Sequence, residues 1–184
     1  MGFSSLMKEK YEFGQNERHE FLIYSGFIFI FALAFGSVSG VPAQFIAGTV
    51  VNAVLVISAF YISGWKSIFP IVLPSAGAYF SGIIFGINSE FLLYFIPLIW
   101  IGNFVYVALV KKFAISENQA VKGMLIAGAA KAGLLFVSAL VLVGMGIVPQ
   151  VFLIAMGPMQ FATAVCGGAI GIWANILRKN RTLG

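Results

Sequence analysis

Four polar side chains interrupt long apolar stretches of this sequence, and one of them is a lysine. Lys131 lies within LIAGAAKAGLLFVSALVLVG, residues 125–144, where its neighbours are small or aliphatic. Asn52, Asn103 and Gln160 have comparably apolar surroundings. Charged side chains at membrane depth are costly, and they usually serve a partner, an ion path or a ligand. These four residues are therefore the first candidates for a functional site.

Lys131 is the most informative of the four residues. A rise of about 1.5 Å per residue places it roughly 15 Å into its helix, too deep for its stem to reach water comfortably. Three explanations stay open: a carbonyl or amide partner, a neutral buried amine, or an anionic solute in a wet cavity. No acidic residue lies in the core of an apolar stretch, so an ion pair within the membrane is not expected. Glu90, near the outer end of the fourth stretch, is a distant and secondary candidate.

The amide side chains have two readings. Asn52, Asn103 and Gln160 can bond neighbouring helices to one another, an interaction worth about 0.6 kcal/mol on average. In a solute site, Lys131 would neutralise the solute, Asn103 and Gln160 would orient it, and Asn52 would be a secondary contact. Trp100 precedes Asn103 by one helical turn and is placed to stack on a ring of the solute.

The residue types needed for catalysis are scarce. The single histidine, His19, lies in the polar N-terminal segment, and Cys166 has no histidine in the apolar stretches to activate it. The sequence contains no cluster of His, Cys, Asp or Glu with metal-ligand spacing. It therefore predicts a protein that is not an enzyme and that uses no metal or cofactor.

Composition indicates an integral membrane protein. Of the 184 residues, 60% are hydrophobic and 9% are charged, whereas soluble domains are about one quarter charged. Six windows reach the length of about 20 residues that a membrane-spanning helix needs. They are Phe21–Ser39, Pro42–Ile62, Ile68–Phe85, Phe91–Val110, Val121–Val143 and Pro149–Leu177. The sixth is long enough to contain an interfacial piece or a break at Gly157 and Pro158, since proline removes a helical hydrogen bond.

The basic residues predict how these six helices are oriented. Lys and Arg accumulate in cytoplasmic loops. With the N-terminus inside, every loop and terminal cation falls on the cytoplasmic side and none in the three outer loops. These cations are Lys8, Lys10, Arg18, Lys66, Lys111, Lys112, Lys122, Arg178, Lys179 and Arg181. Both termini are therefore predicted to be cytoplasmic.

The domain organisation follows from this pattern. We predict a polar cytoplasmic segment over residues 1–20, a single six-helix domain over 21–178 and a basic cytoplasmic tail over 179–184. One alternative is signal-peptidase cleavage near SVSG, residues 37–40, which would leave five helices. The length of the preceding apolar run and the mixed charges of KEKYEFGQNERHE argue against cleavage.

The apolar segments resemble those of a known transporter family. AGTVVNAVLV in the second segment, FIPLIWIGNFVYVALV in the fourth, the lysine-bearing fifth and MGPMQFATAVCGGAIG in the sixth are similar to the substrate-binding S components of energy-coupling factor (ECF) vitamin transporters. The resemblance covers most of the chain from about residue 41 onward. The family's first outer loop often covers the ligand, whereas here that connection is only SGVP.

The resemblance carries a functional expectation. It implies a multi-pass protein of a prokaryotic plasma membrane that binds a vitamin-like micronutrient, with a transmembrane coupling subunit and ATPases powering release. Docking to that module would use the small residues Ala32, Gly36 and Gly40 of the first segment. The alternative function is an accessory or structural subunit of a membrane complex, in which Lys131 binds an acidic or carbonyl group of a partner.

Overall fold

The computed structural model describes residues 41–62, 64–82, 84–113 and 119–182. The first apolar segment, residues 21–39, lies outside the described residues, and so do the predicted docking residues Ala32, Gly36 and Gly40. The polar segment 1–20, with His19, lies outside them as well. The architecture below therefore concerns the second to sixth predicted segments.

Every regular element within these described ranges is a helix. The α-helices are α1 (Val41–Tyr61), α2 (Ile68–Ser81), α3 (Leu92–Phe113), α4 (Ala120–Gly144), α5 (Val151–Met156) and α6 (Pro158–Thr182). Short 3₁₀ turns over Gly64–Ser67 and Gly86–Phe91 precede α2 and α3. Among the described residues, four stretches are long and apolar enough to cross a membrane: Ala43–Tyr61, Gly86–Phe113, Ala120–Gly144 and Val151–Arg178. By length and composition this is a multi-pass membrane protein.

The third predicted segment is shorter than the sequence suggested. We expected a helix over Ile68–Phe85, but α2 has 14 residues and ends at Ser81. Gly82 terminates it in the left-handed conformation, with φ of 65°, and its N–H bonds to the Tyr79 carbonyl. A helix of this length rises about 21 Å, less than the roughly 30 Å hydrocarbon core of a bilayer.

The predicted break in the sixth segment is confirmed. Gly157 separates the six-residue α5 from the long α6, and Pro158 is the first residue of α6. Proline suits this position because the first helical N–H has no partner within the helix. A Cβ atom on Gly157 would lie 2.5 Å from Cδ2 of Phe136 and 2.9 Å from the Leu153 carbonyl oxygen. The tight approach of α4 therefore requires glycine at the break.

Four helices form a ring that encloses the interior. In the order α1, α3, α4, α6 each helix packs against the next, and α6 packs closely against α1 to complete the ring. Helix α2 packs on α1 and α3, while α5 packs on α4 and α6. This arrangement brings the middle of four helices around one central space.

Small residues on α6 divide between two neighbouring helices. Gly168 meets Met124 of α4. Gly167 and Gly171 approach α1, where added Cβ atoms would lie 2.7 Å from Ala53 N and from Val56 Cβ. Small residues of α6 therefore allow close contact with both α4 and α1.

One end of the bundle carries the basic residues. Tyr61 Oη donates a hydrogen bond to Asn175 Oδ1 at 2.6 Å, and Lys111 Nζ donates to the Ile62 carbonyl at 2.9 Å. These bonds hold the C-terminal ends of α1, α3 and α6 together. We call this the basic end, and within the described residues it carries Lys66, Lys111, Lys112, Lys122 and Arg178.

Two apolar clusters occupy the two halves of the interior. The cluster nearer the basic end contains Leu55, Val56, Tyr106 and Val110. The other cluster centres on Phe152, which stacks on Phe85 and on Phe95 with ring centroids 5.1 and 5.0 Å apart. A layer of polar side chains lies between the two clusters.

The crossing of α1 and α6 yields a prediction about stability. Gly167→Ala places a methyl group against the backbone of α1, so we expect it to lower the free energy of unfolding in detergent by about 1–3 kcal/mol. Gly133→Ala is the matched control, since no described atom lies within 4 Å of a Cβ there. We expect this control to be neutral or to gain up to about 1 kcal/mol from helix propensity. Equal thermal unfolding of both variants would contradict the described crossing.

Orientation across the membrane yields a second prediction. In a Cys166→Ser background, Ile87→Cys and Met145→Cys place thiols at exposed turns, whereas Trp65→Cys places one at the basic end. Because basic loops stay in the cytoplasm, an impermeant maleimide should label Ile87→Cys and Met145→Cys in intact cells. Trp65→Cys should react only after permeabilisation. The opposite labelling pattern would show that the basic end faces outward.

Candidate functional site

The polar layer is built from the middle of three helices. Asn52 of α1, Asn103 of α3 and Lys131 of α4 lie near the midpoints of their helices and point into the ring. Their side chains are 1%, 2% and 2% exposed, respectively. The sequence spaces these residues far apart, and the ring of helices brings them to one level.

The Lys131 ammonium is held by an amide and an aromatic ring. Its Nζ donates a hydrogen bond to Asn52 Oδ1 at 2.7 Å and lies 5.4 Å from the centroid of the Tyr106 ring. Both contacts favour a cation, the first as a charge-assisted hydrogen bond and the second as a cation–π interaction. Gly102 faces the lysine stem, and a Cβ atom there would lie at an ordinary contact distance of 3.4 Å from Lys131 Cγ.

Asn52 is fixed by two further hydrogen bonds. Its Nδ2 donates to the Gly48 carbonyl at 2.8 Å and to Thr163 Oγ1 at 3.2 Å. The orientation of this amide is unambiguous, since an ammonium and a carbonyl require an acceptor and a donor respectively. Thr163 Oγ1 in turn donates to the Gln160 carbonyl. A hydrogen-bonded chain therefore runs from α4 through α1 to α6.

Tyr106 is anchored independently of the lysine. Its hydroxyl donates to the Ala164 carbonyl of α6 at 2.8 Å, and its side chain is fully buried. The ring under the ammonium is therefore fixed between α3, α4 and α6. This fixed ring and the bonded Asn52 restrict where the Lys131 amine can lie.

Asn103 has one satisfied and one unsatisfied end. Its Nδ2 donates to the Ile71 carbonyl of α2 at 2.9 Å. Its Oδ1 is buried and has no hydrogen-bond partner within the described part of the chain. Buried side-chain acceptors are rarely left in this state, so this atom marks a place where a donor is expected.

The polar layer forms one wall of a cavity. The described residues line an open cavity of about 90 Å³ between the layer and the end of the bundle opposite the basic end. Apolar walls come from Phe85, Leu92, Ile99 and Met156, and the polar side chains that line it are Gln44, Asn52, Ser75, Asn103, Lys131 and Gln160. No Asp or Glu is among the described residues that line this space. The wall thus offers a cation and several amides, with no carboxylate to compensate them.

The structure brings together four of the six predicted solute-binding residues. Lys131, Asn52, Asn103 and Gln160 all line the cavity. Trp100 does not line it, and its Nε1 donates to Oγ of Ser75, a wall residue, at 2.8 Å. Glu90 is exposed in the Gly86–Phe91 turn and does not line the cavity either.

Three contributors to the site were missed at the level of sequence. Gln44 lies two helical turns before Asn52 on the same face, a spacing that was readable and that places both on the cavity. Thr163 and Tyr106 act through their contacts with Asn52 and Lys131. Nothing in the sequence signals these pairings, because each partner lies on another helix.

Neither Cys166 nor a cluster of metal-ligating residues contributes to the cavity in the described part of the chain. Cys166 is exposed on α6, away from the cavity walls. The described residues contain no group of three His, Cys, Asp or Glu that holds a metal ion. The arrangement around Lys131 is suited to binding an anion or a carbonyl oxygen.

Comparisons with protein families, curated proteins and solved structures found no match to this chain. The resemblance to ECF S components therefore stays a prediction from the sequence.

The Lys131–Asn52 contact yields a third prediction. Asn52→Leu keeps the size of the side chain but removes the acceptor for a buried ammonium, so we expect a loss of about 1.5–3 kcal/mol in the free energy of unfolding. Adding Lys131→Met should recover most of this loss, because no buried charge then lacks its partner. The measurement is a double-mutant cycle of unfolding in detergent. Additive effects of the two substitutions would show that the contact contributes nothing.

Proposed function

We propose that this chain is a membrane-embedded substrate-binding subunit that takes up a small anionic or carbonyl-rich solute. The observation that carries the proposal is the Lys131 amine in the wall of a cavity to which the described residues contribute no carboxylate. Lys131 neutralises the solute, Asn103 and Gln160 orient it, and Asn52 holds the lysine amine in place.

The charge balance around the cavity supports an anionic solute. Glu90 is the single acidic residue within the described ranges, and its side chain is exposed. Two opposite charges 4 Å apart attract by about 4 kcal/mol at an effective dielectric constant of 20, against about 1 kcal/mol in water. A solute anion therefore gains more beside Lys131 than it does at an exposed lysine.

The position of the cavity supports uptake from outside. It lies in the half of the bundle opposite the basic end, which the positive-inside rule assigns to the outer side. A cavity that reaches from the membrane centre toward the outer face suits capture of an external solute. Release into the cell then requires a conformational change, which an ATPase-bearing module drives in transporters of the ECF type.

The volume of the cavity favours a small solute among the vitamin-like micronutrients. Ligand pockets commonly measure about 300–1,000 Å³, and the open cavity that the described residues line measures about 90 Å³. An apolar cavity of roughly 150 Å³ holds benzene. The proposed solute therefore has few heavy atoms in the part that reaches Lys131.

The alternative role as an accessory subunit receives less support. It requires Lys131 to meet an acid or carbonyl of a partner chain. The Lys131 side chain is 2% exposed, and its nearest polar partner is Asn52 of the same chain. A partner would have to enter the cavity to reach it.

Lys131→Met tests the proposed function. This change preserves the length of the stem and removes the charge, so folding should survive while the affinity for the co-purified solute falls. Loss of a buried charge-assisted contact costs about 2–5 kcal/mol, which corresponds to about 30-fold to several thousand-fold in Kd. The solute is identified by mass spectrometry of gently purified protein and its binding is measured by calorimetry.

Lys122→Met is the matched control for this measurement. Lys122 lies on the same helix as Lys131 but is exposed at the basic end. Its substitution should leave the affinity unchanged. Equal affinities of wild type and Lys131→Met would refute the ligand role, and a stoichiometric protein partner without bound metabolite would favour the accessory subunit.

A further inference from the structure

The unsatisfied oxygen of Asn103 restricts the chemistry of the solute beyond its charge. Asn103 is 2% exposed and lines the same cavity as Lys131, and its Oδ1 has no partner within the described residues. An acceptor buried in this way is unfavourable until a donor reaches it. Lys131 and Asn103 therefore place a donor and an unpartnered acceptor in the same cavity wall.

The assignment of the two Asn103 amide atoms follows from their surroundings. The atom that faces the Ile71 carbonyl lies 2.9 Å from it, and a carbonyl oxygen can only accept a hydrogen bond. Exchange of the two amide atoms would set two acceptors against each other. The Nδ2 atom therefore stays on Ile71, and Oδ1 is the atom left for a ligand.

The Lys131 amine retains donors for a ligand. An ammonium has three N–H bonds, and Asn52 Oδ1 accepts from one of them. The Tyr106 ring lies on a second side of the amine. A carboxylate oxygen beside Lys131 would accept a hydrogen bond from a remaining N–H of the amine without displacing Asn52.

Size places the solute's donor close to its anionic group. The open cavity that Lys131 and Asn103 line measures about 90 Å³, so a solute that contacts both residues within it has a short spacer between its carboxylate and its donor. A cationic donor such as an ammonium would lie in the same small space as the Lys131 charge and would be repelled by it. A neutral O–H or N–H donor fits the small space and is not repelled by the Lys131 charge.

We propose that the solute is a small carboxylate that carries a neutral hydrogen-bond donor beside its carboxylate, of the 2-hydroxy acid type. This inference rests on the proposed function, since it takes Lys131 to bind the carboxylate. Its additional content is that Asn103 Oδ1 accepts a hydrogen bond from the solute. Asn103 then acts as the residue that determines specificity.

Three probes with five heavy atoms each test this inference. Glycolate, propanoate and glycine share a CH₂–COO⁻ group and differ only in a hydroxyl, a methyl or an ammonium group. Binding to the full purified chain in detergent is measured by calorimetric titration or ligand-induced thermal shift. We expect glycolate to bind at least about tenfold more tightly than propanoate, because a site built for a donor rejects an analogue that lacks it. Glycine should also bind more weakly than glycolate.

Two variants assign the discrimination to Asn103. In Asn103→Leu the ratio of the glycolate and propanoate affinities should fall to about one. The matched control is Asn175→Leu, which removes an amide that bonds Tyr61 at the basic end, away from the cavity. It should preserve the ratio. The comparison of the three probes on the wild-type chain decides the question even where a variant fails to fold.

Each outcome bears on a defined part of the argument. Equal binding of glycolate and propanoate, both lost in Lys131→Met, would overturn the donor inference and leave the anion site intact. Preferred binding of glycine would overturn the requirement for a neutral donor. Absence of binding by all three probes, together with unchanged solute affinity in Lys131→Met, would overturn both this inference and the proposed function.

Discussion

The structure depends on the accommodation of one ammonium group in the middle of an apolar bundle. The Lys131 side chain is buried, and no Asp or Glu among the described residues lines the cavity beside it, so other groups must stabilise its charge. The Asn52 carbonyl and the Tyr106 ring supply that stabilisation. Both groups are themselves held by bonds to other helices, so the position of the lysine constrains α1, α3, α4 and α6 together.

Close helix packing makes this accommodation possible. Gly167 and Gly171 bring α6 onto α1 beside Asn52. Side chains at these two positions would push the helices apart and lengthen the hydrogen bonds of the polar layer. Because membrane helices gain little from the hydrophobic effect, such close contacts and interhelical hydrogen bonds carry much of their association.

The same layer that stabilises the lysine also shapes the cavity. Asn52 is saturated by its contacts with Lys131, Gly48 and Thr163, whereas Asn103 keeps one acceptor without a partner. Two asparagines at the same depth thus differ: Asn52 supports the lysine, and Asn103 keeps the acceptor that we propose for recognition of the solute. Trp100 belongs to the support as well, since it holds Ser75 in the cavity wall.

The sequence by itself determined the class of protein, the polar candidates and the break at Gly157. Hydropathy and length are local properties, and the physics of the bilayer converts them directly into helices. The same reasoning placed Lys131, Asn52, Asn103 and Gln160 at membrane depth, and all four line the cavity. Hydropathy extended the third segment to Phe85, because it carries no information on the left-handed conformation of Gly82, which ends the helix.

Only the tertiary structure decided which polar groups meet. The partnership of Lys131 with Asn52 and the position of Tyr106 under the amine depend on how the helices rotate and cross. The hydrogen bond from Trp100 to Ser75 depends on the same rotation and crossing of the helices. Helical periodicity tells which residues share a face, but not which other helix that face meets. That choice follows from the fit of small residues across the crossings, which the linear order of the chain does not contain.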